Sequence, residues 1–200
     1  MRLGITFGCY IPLHKGHMQL IEKSIQENDK TIIAVCGKVN DRGKDFIPFD
    51  MREALVYEKY EHECINGKVN IVKIDDEKIG MDGTFSRHNW ELWCNELFSQ
   101  ANEQYRSCGL PEIDPESTTD EITWYTGEQS YKEKLSDIYP HHTVVLADRS
   151  EIDISGTKIR ENPEKYVEYI AEHFLKYMVS HGLIDVNTYN TTYNNKHRKD

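Results

Sequence analysis

The sequence predicts an α/β fold: a doubly wound parallel sheet of five strands with helices on both faces. Three observations lead there. Five short apolar runs rich in β-branched or aromatic residues recur along the chain, and segments of helical spacing lie between them. The first two runs each stop at a glycine, Gly8 and Gly37. Strands that alternate with helices argue for parallel β-α-β units whose sheet is covered on both sides. In such sheets ligands bind at the carboxyl ends of the strands, near the point where strand order reverses. Gly8, Gly37 and Gly127 therefore belong to the expected functional rim.

The five runs are Leu3–Phe7, Thr31–Cys36, Val69–Ile74, Glu121–Tyr125 and Thr143–Ala147. A helix is expected from His17 to Asn28, where Met18, Ile21 and Ile25 share one face. Asp50-Met51-Arg52-Glu53 resembles a capping box that opens a second helix toward Tyr60. Asn89 to Tyr105 carries Trp90, Trp93, Leu97 and Phe98 at helical intervals. Pro163 suits the first turn of a final helix that runs to about His181 and stops at Gly182. Cys108–Glu121, with two prolines and five acidic residues, reads as a solvated loop. The chain divides into one domain over 1–185 and a polar tail over 186–200 that lacks an apolar face and is expected to be mobile.

Composition narrows the function classes. Lys and Arg total 24 against 34 Asp and Glu, a net charge of −10 over 200 residues. Such a chain is a poor general binder of nucleic acid or anionic membrane, so an anionic ligand needs a local basic pocket. No apolar run approaches the roughly 20 residues that span a bilayer, and the first residues do not read as a signal peptide. Five scattered cysteines without a C-x-x-C pair read as reduced thiols, which points to the cytoplasm.

The chemistry concentrates in Gly8-Cys9-Tyr10-Ile11-Pro12-Leu13-His14-Lys15-Gly16-His17, between the first strand and the first helix. Pro12 fixes a turn, and Gly16 allows close backbone approach at the helix start. The first helical N–H groups there face an anion with the positive end of the dipole behind them. His14, Lys15 and His17 add donors and positive charge for a polyphosphate. A metal pair or ordinary surface histidines are the competing readings; no nearby Cys, His or carboxylate cluster completes a metal site. A second element, Ile154-Ser155-Gly156-Thr157-Lys158-Ile159-Arg160, follows the fifth strand. Ser155 suits an N-cap, the turn offers backbone N–H groups, and Arg160 can reach the same phosphates with a forked cationic donor set. A plain helix start with a solvent-facing Arg is the alternative.

Together GCYIPLHKGH and ISGTKIR resemble the H-x-G-H and I-S-x-T-x-x-R motifs of the nucleotidylyltransferase superfamily, a Rossmann-like fold. Over roughly residues 3–170 the chain most resembles nicotinamide-nucleotide adenylyltransferases, specifically the adenylyltransferase domain of NadR-type bifunctional proteins. DMREAL, HNWELW, TGE and LADRSEIDISGTKIR carry that finer likeness. The resemblance implies transfer of AMP from ATP to nicotinamide mononucleotide (NMN), giving NAD and pyrophosphate. It implies that His14 and His17 contact the ATP phosphates, with Arg160 at their β/γ end and Ser155 and Thr157 binding through hydroxyl or backbone. Phe7, Gly8, Tyr10, Lys15 and Gly16 would complete the ATP site. Arg52 would meet the NMN phosphate, and Trp90 and Trp93 the nicotinamide ring, Trp93 being the better stacking candidate; core packing of both tryptophans remains an alternative. Glu128 and Arg149 would lie on the rim. Mg²⁺ would be held mainly through the ATP phosphates, with no protein-held metal, and a homo-oligomer is an open option.

Two departures stand out. Cys9 occupies a position where such proteins often carry Lys or Arg. The Gly37–Asp45 segment fails the pattern of a kinase Walker loop, having five residues between its glycines and no Ser or Thr after Lys44. Other phosphorylated acceptors (nicotinate mononucleotide, phosphopantetheine, FMN or glycerol phosphate) and a non-catalytic nucleotide-binding regulator are the competing functions.

Overall fold

The structure is a computed structural model that describes residues 1–37, 46–81, 84–148 and 154–196, with side chains through 192. Five parallel strands, β1 (Arg2–Gly8), β2 (Lys30–Gly37), β3 (Val69–Asp75), β4 (Glu121–Thr126) and β5 (Thr143–Leu146), form one sheet in the order β3-β2-β1-β4-β5. All five apolar runs are strands, and order reverses at β1. A parallel sheet buries both faces, so its central strands carry continuous apolar runs rather than alternation. In β2, Ile32, Ile33, Ala34 and Val35 are fully buried. Ile32 and Ala34 join a core with Trp90, Trp93, Leu97 and Trp124; Ile33 and Val35 join another with Ile21, Leu55, Phe174 and Met178. Each such isoleucine, leucine or valine contributes about 1.5–3 kcal/mol when fully buried.

Helix α1 (Lys15–Glu27) lies on the second core through Ile21, with Met18 and Ile25 alongside. It also sits unusually close to the sheet: a Cβ at Gly4 would fall 2.0 Å from Ser24 Oγ. The contact is locked by polar pairs. Ser24 and Thr31 share a hydrogen bond of 3.0 Å, the Asn28 amide donates to the Tyr125 hydroxyl at 2.9 Å, and that hydroxyl donates to Glu27 at 2.8 Å.

Three expectations change. The capping box does not form: α2 spans Phe49–Lys59 with Pro48 as its cap, and Asp50 sits inside the first turn. Its carboxylate pairs with Lys73 of β3, which holds its pKa below the ordinary value. The expected helix from Pro163 is broken. A 3₁₀ helix (Pro163–Tyr169) precedes an extended step at Ile170, and only then does α7 (Glu172–Ser180) begin. The break lets Ile170 bridge to His14 and the Ala171 N–H donate to the Leu13 carbonyl at 3.0 Å. Gly182, at φ +70°, stops α7 as expected, in a Schellman motif that pairs the Gly182 and Leu183 N–H groups with the carbonyls of Val179 and Met178. Most of the segment expected to be a mobile tail is instead helix α8 (Val186–Lys196), whose Tyr189 packs against the core.

Of the remaining helices, α3 (Glu61–Ile65) is short, while α4 (Arg87–Ser107) and α5 (Gln129–Ile138) cover the first core. The 108–121 segment is irregular, but Ile113 is buried and held to α4 by two hydrogen bonds with Asn102. Among the described residues, no helix is long and apolar enough to cross a membrane.

Candidate active site

The two motifs meet at the carboxyl edge of the sheet. After β1 the chain turns at Tyr10, whose φ of 49° places a non-glycine residue in the left-handed region. Residues 10–14 are all buried, so the turn is held by packing. Burial also pushes the Tyr10 phenol far above its ordinary pKa, keeping it protonated. His14 is the N-cap of α1 in extended conformation, and its carbonyl accepts from the Met18 N–H at 3.0 Å. The His14 and His17 rings stack with centroids 3.7 Å apart, and Tyr10 meets His17 edge-on at 5.1 Å. Gly16 accommodates this pair: a Cβ there would lie 3.3 Å from His14 Cε1 and Nδ1, and 3.7 Å from Ile154. The expected freedom of Gly16 is thus used by the His14 ring.

Helix α6 (Gly156–Glu161) carries the second motif. Ser155 caps it, its hydroxyl accepting from the Lys158 N–H at 3.2 Å. Arg160 ties the motifs together across 149 residues of sequence. One guanidinium nitrogen donates to the Ile11 carbonyl at 2.8 Å, the other to the Thr157 hydroxyl at 3.0 Å. Gly156 makes room: a Cβ would fall 2.9 Å from Arg160 Nη1 and 3.1 Å from the Ile11 oxygen.

Both motifs open on one cleft of about 570 Å³. His14, Gly16, His17, Ser155, Gly156, Thr157 and Arg160 line it, as do Phe7, Gly8 and Tyr10. Trp90 and Trp93 line it too, while remaining in the first core, so the packing and ligand readings of these tryptophans coexist. Phe7 lies 5.2 Å from Trp93 and 6.1 Å from Trp90 by ring centroids. Phe85 and Tyr131 complete an aromatic group, stacked at 5.8 Å and each within 5.5 Å of Trp90. Sequence reading passed over both. A signal for Phe85 existed: Ser86 caps α4, accepting from the Asn89 N–H, and a residue before the cap that packs on the fourth helical residue is a hydrophobic staple.

Two expected site residues do not line the cleft. Arg52 is 1% exposed, stacked on Phe49 and donating to the Cys9 carbonyl at 3.1 Å, so it supports the turn from behind. Lys15 lies over the Tyr169 ring at 4.9 Å. The carboxylates of Asp76, Glu128 and Asp148 do reach the lining. Arg149 falls outside the described residues, as does most of the Gly37–Asp45 segment.

The two motifs thus sit together at two helix starts, on the switch point of a five-stranded parallel α/β sheet. A sequence model of the cytidylyltransferase-like family matches residues 5–162, and the chain belongs to that family. Its relatives include the trifunctional NAD biosynthesis/regulator proteins NadR of Escherichia coli K12 and Salmonella typhimurium LT2, at 27% and 28% identity. Each match covers 84% of this chain and 38% of the relative. A crystal structure of NadR in complex with NAD and AMP-PNP superposes with a TM-score of 0.63 at 29% identity, over 86% of this chain and 45% of that one. A phosphopantetheine adenylyltransferase of Clostridium perfringens is 42% identical over 43 residues, 22% of this chain and 26% of the relative. The chain spans less than half the length of the NadR proteins it matches.

Proposed function

We propose that the chain transfers AMP from ATP to nicotinamide mononucleotide, releasing pyrophosphate and forming NAD. The observation that carries this reading is one cleft holding both the His14, His17, Ser155, Thr157 and Arg160 group and the Phe7, Phe85, Trp90, Trp93 and Tyr131 group. A triphosphate needs the first; a flat pyridine ring on a ribose phosphate needs the second. The NadR relatives, whose names state NAD biosynthesis, support the same acceptor.

The chemistry asks for position and charge. A nucleoside monophosphate has a second pKa near 6, so its attacking oxygen is already ionised at neutral pH. No protein nucleophile or general base is required. His14, His17, Arg160 and the starts of α1 and α6 hold the triphosphate so that the α-phosphorus lies in line with the incoming oxygen, and offset charge building on the departing pyrophosphate. Mg²⁺ would come as part of the MgATP substrate and would supply charge neutralisation at its phosphates. Among the described residues, no three His, Cys, Asp or Glu side chains gather as a metal cage.

The test is pyrophosphate release with MgATP and each of NMN, nicotinate mononucleotide, phosphopantetheine, FMN and glycerol phosphate. Release with NMN, fastest in the panel, is expected. Release only with phosphopantetheine would transfer the assignment to the acceptor of the C. perfringens relative. Silence in a protein that binds ATP would make it a nucleotide-binding regulator.

A further inference from the structure

Cys9 and Cys36 are both half-buried and both line the cleft. They arrive there from the ends of neighbouring strands: β1 and β2 pair in parallel as far as Gly8 opposite Val35, Cys9 is the first residue after β1, and Cys36 follows Val35 in β2. Adjacent strands run about 4.8 Å apart, inside the roughly 4.4–6.8 Å between Cα atoms that a disulfide spans. Facing residues of a parallel pair project to the same side of the sheet, and successive residues alternate sides. Phe7 and Cys36 both pack on the core that contains Trp90 and Trp93. Burial pushes the Cys94 and Cys64 thiols up to about 12 and 11, which keeps them protonated and slow to react, and Cys108 lies exposed at the end of α4.

We propose that Cys9 and Cys36 form a dithiol modification site in the cleft wall, which a small-molecule disulfide of the glutathione type converts to an intramolecular disulfide. One thiolate attacks the oxidised reagent and forms a mixed disulfide, expelling one thiol. The second thiolate attacks the protein sulfur of that adduct and expels the other. Two cysteines lose two protons and two electrons, and the reagent is reduced to two thiols. The bond ties the turn before His14, at a residue whose carbonyl already accepts from Arg52, to the end of β2. It places the bridge on the wall of the cleft assigned above to ATP and NMN; its effect on turnover rests on that assignment, its formation does not.

The experiment exposes the full chain to oxidised glutathione, blocks remaining thiols under denaturing conditions, and maps unreduced peptides by mass spectrometry. A peptide pair joining Cys9 to Cys36, two hydrogen masses lighter than its separate parts, is expected. With Cys36→Ser, Cys9 should stop at the glutathione adduct. Glutathione retained on either cysteine of the unaltered chain, or both cysteines still open to blocking, would overturn the proposal. A second arm adds MgATP, which should slow bridging at least tenfold, and measures turnover, which should fall and return with dithiothreitol. Bridging that ignores MgATP would support the dithiol while counting against nucleotide binding in this cleft.

Discussion

Replacing Gly156 by alanine separates site geometry from stability. The added Cβ would stand 2.9 Å from Arg160 Nη1 and 3.1 Å from the Ile11 oxygen. Ordinary contact begins near 3.4 Å, so the guanidinium must retreat by about half an ångström and the carbonyl by somewhat less. The side chain is the softer partner, and moving it breaks the 2.8 Å bond to Ile11 that joins the two motifs. A bond to a charged donor contributes about 1.5–3 kcal/mol, but Arg160 is half-buried and water takes up part of that loss. The fold should therefore lose only about 1 kcal/mol, a few degrees in Tm for a chain of this size. Turnover should suffer more: a 1 Å misplacement in a positioning site can cost about 100-fold, so half that distance should cost about tenfold. Pyrophosphate release and a thermal melt on the same preparation decide the matter. A Gly156→Ala variant with undiminished kcat/KM would refute the argument that Arg160 must hold this position.

Replacing His17 by alanine should remove most turnover and leave the melt within a few degrees, since its ring is only partly buried; near-normal rates would take it out of the site. Trp93→Ala should raise the KM for NMN well above any change for ATP, whereas equal changes would favour a purely packing role. Gly4→Ala drives a Cβ to 2.0 Å from Ser24 Oγ and 2.7 Å from the Asn28 amide, so the fold should lose about 1–3 kcal/mol; an unchanged melt would mean α1 can lift from the sheet. His142 reports acid stability. Its Nδ1 accepts from the Trp124 indole at 2.9 Å and its Nε2 donates to the Pro115 carbonyl, so the ring is held neutral, and burial lowers its pKa from 6.5 to about 4. The unfolded chain takes up that proton first, so stability is full above pH 6.5 and falls as the pH drops toward 4. Allowing for solvent screening, the loss is about 2 kcal/mol. Melts across that range should show a steeper decline for the natural chain than for His142→Gln, and parallel declines would contradict the assignment.

The fold was legible because each strand announces itself locally. KTIIAVCG and VNIVKID are apolar, β-branched and bounded by turn residues, and the helical faces recur at the right interval. The two motifs that line the cleft were legible for the same reason, since each lies in one short stretch beside a strand end. What the sequence hid depends on contacts between distant segments. The break at Ile170 follows from its bridge to His14, and nothing near Pro163 signals it. Arg52 occupies the first turns of α2, where an exposed arginine is the ordinary case, yet the Cys9 carbonyl and the Phe49 ring bury it. Tyr131 joins the aromatic group from α5, 41 positions after Trp90 in sequence. The acidic side chains of Asp76, Glu128 and Asp148 come to one cleft only because three strands end there together.

One cleft is proposed to hold a triphosphate and a pyridine nucleotide together and to join them directly. ATP labelled in its α-phosphate, incubated with Mg²⁺, NMN and the protein, is the decisive assay. Label in NAD and an equal amount of unlabelled pyrophosphate are expected. Label recovered as free AMP, or pyrophosphate released without NAD, would contradict the proposal.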